Sequence, residues 1–123
     1  MSTKKTEDYI KPNRITDRDS GAVYELDFSR ESVKFAEARG FDPDEVSRYP
    51  VSKIPEFFFY AFRKNHKNLA RTQTDNLLER LGGLSPAFVE RLSQLYVQAA
   101  TANMVVEKTE DMGKNGNLAV ELD

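Results

Sequence analysis

The chain has 123 residues, 39% hydrophobic and 31% charged, with a net charge of -2 and no cysteine. That length and composition fit one small domain with a modest core, and they exclude disulfides, thiolate metal sites and cysteine nucleophiles. The weak net charge supplies no global field for nucleic acid or an anionic membrane, and no apolar run approaches the ~20 residues needed to span a bilayer.

Residues 1–13 are polar and patternless, which predicts a disordered N-terminal tail. The opening MSTKKTEDYIKPN has no apolar signal core, so export is not expected. A β-hairpin is predicted over 14–28. Tyr24, Leu26 and Phe28 alternate with Glu25 and Asp27, the period of a half-buried strand. Ile15 lies on the other arm, and Gly21 in DSGA supplies the positive φ that the turn requires. The apolar face of such a hairpin needs helices to cover it.

The period then changes to that of helices, predicted within 30–102. Ser29 is the N-cap of RESVKFAEARG, Glu31 sits in its first turn, Gly40 is a C′ residue and Phe41 folds back on the helix. DPDE opens a short helix, with Asp42 as cap, Pro43 first and Glu45 completing a capping box. Pro50 is read as its stop. Ser52 is read as the cap of the next helix, with Pro55 in its first turn. TQTDNLLERLGG gives another short helix, with Thr72 and Asp75 as a box-like pair, a Leu77/Leu78/Leu81 stripe and Gly82-Gly83 as terminator. Ser85 caps and Pro86 begins the clearest helix, whose apolar face carries Phe88, Val89, Leu92, Leu95, Tyr96 and Ala99. From about Asn103 the pattern dissolves, and 103–123 is expected to be a flexible tail in which LAVEL adds at most a short strand.

Enzyme chemistry finds no foothold, and neither catalytic residues, a metal site nor a cofactor is expected. His66 is the only histidine, and it is read as a surface residue near a helix end. No Walker A loop or G-x-S-x-G is present, and the carboxylates of DPDE are explained by capping. The run RKNHKNLAR carries Arg63, Lys64, Lys67 and Arg71 without an acid. It is explained by cations near a helix C-terminus or by nucleic-acid contacts. The helix that would enter a groove, however, presents Glu90, Arg91, Gln94 and Gln98, which is nearly neutral.

The stretch PEFFFYAFRKNHK packs five aromatics into six positions. At ~100° per residue, Ile54, Phe57, Phe58, Ala61 and Phe62 share one wide stripe, and Phe59 and Tyr60 fall on its two flanks. Either the helix is covered on several sides, or these two rings belong to an exposed apolar patch for a partner, bordered by Arg63 and Lys64.

The order of motifs resembles a known family. A hairpin and helix reading ITDRDSGAVYELDFSRESVKFAEARGF lead through a short acidic helix to IPEFFFYAFRKNHKN, and FVERLSQLYVQA closes the domain. Over about residues 14–102 this resembles the tail assembly chaperones of long-tailed bacteriophages. The resemblance implies a non-enzymatic protein that holds the tape measure protein while the tail tube protein assembles around it. It implies work in the cytoplasm of the bacterial host and absence from the mature virion. The exposed apolar surface such a role needs predicts self-association, and the weak net charge predicts no nucleic-acid or membrane partner. The competing readings are a small DNA-associated regulator using the basic 63–71 segment and a minor structural tail protein. The expected fold is mainly α (α+β), with the N-terminal hairpin packed on about four to five helices.

The resemblance also implies a longer product made when ribosomes slip back one nucleotide near the end of the gene. Met112, Gly113 and Lys114 permit the heptamer G GGA AAR, and Gly113, Lys114 and Asn115 permit A AAA AAY. A shift there keeps the folded domain and replaces only the tail.

Overall fold

The computed structural model describes residues 9–103. Met112–Asn115 and the LAVEL segment lie outside them. The fold is mainly α: an N-terminal two-stranded antiparallel hairpin followed by four helices. Strand β1 spans Asn13–Thr16 and β2 Val23–Leu26, with Ile15 opposite Tyr24 and Arg14 opposite Glu25. Gly21 closes the turn at φ 80°, and its N–H donates to the Asp17 carbonyl at 2.7 Å. The guanidinium of Arg80 holds both Asp17 oxygens, at 2.9 and 3.1 Å, and reaches Asp19 at 3.1 Å. That hydrogen bond, with help from the Asp19 N–H, holds the Asp17 carboxyl well below the usual carboxylate range.

The ordered domain begins earlier than the polar composition of 1–13 predicts. Asn13 is buried in β1 and its amide donates to the Phe88 carbonyl at 3.1 Å. Ile10 packs on the core, and its N–H donates to Gln98 Oε1 at 2.9 Å. Two tertiary hydrogen bonds thus order a segment that composition alone assigns to a tail.

Helix α1, Arg30–Ala38, starts on Ser29, whose hydroxyl accepts from Ser32 N–H at 3.1 Å. It ends with Gly40 at φ 80° and with Phe41 N–H returning to the Ala36 carbonyl at 3.1 Å, which swings Phe41 into the core. A 3₁₀ turn follows at Pro43–Glu45, capped by Asp42, while the Glu45 carboxylate reaches Lys53 at 3.4 Å instead of completing a capping box. Helix α2 spans Pro50–Phe62, so Pro50 opens it and does not stop the preceding turn. The helix starts earlier than Ser52 because Lys53 N–H already finds the Tyr49 carbonyl at 2.9 Å. Pro55 then lies in the second turn and offers no N–H to the Val51 carbonyl. Helix α3 spans Arg71–Leu81; its start uses Gln73 Oε1 on Ala70 N–H, while Asp75 pairs with Arg71 and not with Thr72. Helix α4 spans Pro86–Ala100, with Ser85 as cap and Pro86 first.

The core is an aromatic column. Phe57 of α2 stacks between Phe28 at 5.5 Å and Phe41 at 5.3 Å, and Tyr96 of α4 meets all three edge-on. Leu26, Phe58, Phe62, Leu92 and Leu95 close around it. The Tyr96 hydroxyl is buried with no partner among the described residues. Burial, reinforced by Glu37 and Asp42, pushes this phenol up to about 12. Tyr96→Phe keeps the ring contacts and removes an orphan hydroxyl. It is therefore expected to leave stability unchanged or raise it by up to about 1 kcal/mol in urea unfolding. The sign with pH follows. The unfolded phenol ionises near its ordinary value of 10.0, so stability is full below that value and falls as pH rises toward 12. The variant should lose less between those limits. A clear destabilisation at neutral pH would reveal a partner for the hydroxyl.

Candidate functional site

Of the four residues read as a partner surface, Tyr60 is buried in the core, Phe59 is half-buried, and Arg63 and Lys64 are engaged in ion pairs within the domain. Tyr60 is 3% exposed, edge-on to Phe41 at 5.1 Å and to Phe35 at 6.0 Å. The buried residues of α2, Phe57, Phe58, Tyr60, Ala61 and Phe62, sweep an arc of about 200° at 100° per residue. The sequence phasing placed Tyr60 just outside a narrower stripe. The end of α1 widens it, because Phe41 turns back onto this flank. Phe59 is half-buried and packs against the core. Arg63 donates to Glu31 at 3.2 Å, and its guanidinium lies 3.9 Å over the Phe35 ring. Lys64 donates to Asp27 at 2.6 Å.

Asp27 alternates with the apolar residues of β2, a position predicted to face water, yet it is 3% exposed. Its backbone N–H donates to the Ala61 carbonyl at 3.1 Å, and its Oδ1 accepts from Phe28 N–H at 2.7 Å. Two more bonds tie the end of α2 to the same strand. Glu25 N–H donates to His66 Nε2 at 3.0 Å, and the Asn65 amide donates to the Glu25 carbonyl at 3.2 Å. His66 is thus half-buried, edge-on to Tyr24 at 5.3 Å, and is a docking acceptor, not a free surface residue. With Arg71 on Asp75 at 2.8 Å, Lys67 is the one cation of the basic run without a carboxylate partner among the described residues. The run fastens the hairpin and the helix ends.

The open apolar surface lies at the other end of α2. Pro50 and Ile54, one helical turn apart, face Pro86 and Val89 across a cleft of about 450 Å³. Val46 and Leu84 complete its floor and wall. Three prolines, Pro43, Pro50 and Pro86, are the first residues of their helical segments and all line this cleft. Their rings present carbon and no amide donor. Val51, at 90% exposure, stands on the adjoining side of α2. Glu90 and Ser93 also border a second hollow along α4, with Val97 and Ile10, so two adjoining hollows, together termed the trough, follow α4 from Pro86 to Val97 and share these two polar side chains. That is a length of about 16 Å, three helical turns. Val97 is 55% exposed. The sequence pattern did contain Ile54 and Val89, as members of two apolar stripes. What it lacked was any sign that the starts of two helices flank one cleft.

Among the described residues no group of three or more His, Asp or Glu is placed to hold a metal ion, and no helix is long and apolar enough to cross a membrane. The fold and site define a hairpin-headed four-helix domain whose notable surface is an open apolar trough. The chain belongs to the DUF5055 family, a domain of unknown function, which matches residues 3–122. No curated protein and no solved structure matches it.

Proposed function

We propose that the chain is a non-enzymatic assembly chaperone of long-tailed phages that holds the tape measure protein during tail morphogenesis. The observation that supports this reading is the apolar trough along α4, built on rigid helices and left open in the single chain. A holdase for a long helical client needs such a surface, because an amphipathic helix docks its apolar face into a groove and satisfies its own backbone. The work is done in the host cytoplasm, and the chaperone leaves before the particle is finished.

The test is co-expression with a tape measure protein from the same phage, followed by purification through a tag on the chaperone. The client should be retained, and Ile54→Ser combined with Val97→Asp should reduce retention at least tenfold while circular dichroism still reports a folded helical domain. Passage of the client through the column with the folded wild-type chain would refute the reading. Abundant chaperone in purified virions would favour a structural tail protein instead.

A further inference from the structure

The trough is apolar along its floor and carries charge of one sign at its edge. Asp44 and Glu90 border the cleft, both exposed, and neither has an ion-pair partner among the described residues. Among the described residues the one side-chain hydrogen bond of Glu90 is a long one, from the Gln94 amide at 3.5 Å. Among the described residues no lysine or arginine lines either part of the trough. Asp17, Asp27, Glu31 and Asp75 each meet a cation, whereas Asp44 and Glu90, like Glu37, Asp42 and Glu79, meet none among the described residues. What sets Asp44 and Glu90 apart is their place at the border of the apolar cleft.

Charge also decides among occupants. The chain's own C-terminal segment from 107 to 123 has five acids, Glu107, Glu110, Asp111, Glu121 and Asp123, against Lys108 and Lys114. It is repelled by this edge. An extended strand is a poor occupant too, because the walls are side chains and proline rings, not a strand edge with free amides. An α-helix satisfies its own backbone and needs only carbon below and cations at the side. We infer that the trough takes an apolar helix of a partner protein that carries lysine or arginine beside its apolar stripe, the cations meeting Asp44 and Glu90. This rests on the reading of the trough as the partner surface.

Two fluorescein-labelled peptides of about 18 residues test it, identical in a leucine stripe, one flanked by lysines and the other by glutamates. Fluorescence anisotropy with the full chain at low salt should show the lysine peptide binding about tenfold tighter, from two exposed ion pairs. The preference should shrink at high salt. Asp44→Lys with Glu90→Lys, both at exposed positions, should reverse the preference without moving the melting temperature, and Asp44→Asn with Glu90→Gln should abolish it. Reversal of two exposed acids outside the trough, Glu37→Lys with Glu79→Lys, should leave it intact. Binding of neither peptide, equal binding, or equal sensitivity to the remote pair would overturn the inference. So would lysine-peptide binding lost only because the chain self-associates through the trough. If the tape measure protein is retained and the Asp44/Glu90 reversal changes nothing, the charge inference alone fails. If the peptides behave as expected and the tape measure protein passes through, the phage assignment alone fails.

Discussion

Phe57→Ala is expected to lower the unfolding free energy by about 3–5 kcal/mol, the largest loss from any single truncation in the domain. Phe57 is buried where four parts of the chain meet. Its ring stacks on Phe28 from the end of the hairpin and on Phe41 from the turn after α1, and it meets Tyr96 of α4 edge-on. Deleting it leaves a cavity walled by three rings held on separate elements, which cannot all move inward at once. Phe59→Ala, two residues on, should cost much less, because that ring is only half-buried. Urea unfolding of the two variants decides the point. Similar losses would show that the packing is not centred on Phe57.

The second large effect is an asymmetry. Lys64→Met should destabilise by about 1–3 kcal/mol, while Asp27→Asn should cost clearly less. Asp27 is buried and Lys64 is partly exposed. Removing the lysine strands a carboxylate in the protein with only the Phe28 N–H to accept from. Removing the negative charge leaves an amide whose oxygen can keep that bond, and an ammonium that returns to water. The same unfolding measurement compares them. An equal or opposite ranking would mean that the pair is wetter than its geometry implies.

Local chemistry was legible in the sequence, and long-range placement was not. Ser29, Gly40, Ser85 and Pro86 fulfil their predicted roles because a cap or a left-handed residue acts on atoms within four positions. The hairpin face of Tyr24, Leu26 and Phe28 follows from a period of two. Pro50 reads equally well as a stop or a start, since proline breaks a preceding helix and opens a following one. The Tyr49 carbonyl decides it by accepting from Lys53. The burial of Tyr60 and Asp27 depends on residues 19 and more positions away, and no local pattern carries that information. Of the predicted stripe Leu77, Leu78 and Leu81, the first two pack against the core and Leu81 is exposed, because α3 lies at the margin. Its one fully buried residue is Thr74, whose hydroxyl donates to the Arg71 carbonyl at 3.0 Å. The trough was hidden for the same reason, since it exists only where residues near 50 and near 86 come together.

The fastening of the hairpin to the end of α2 has a consequence for birth order on the ribosome. The strands leave the exit tunnel before α2 does. A lone two-stranded hairpin is barely stable in water. Its anchors, Ala61, Lys64, Asn65 and His66, are translated about 35–40 residues later. The nascent sheet therefore waits, and strands made before α2 are secured only after α2 has emerged.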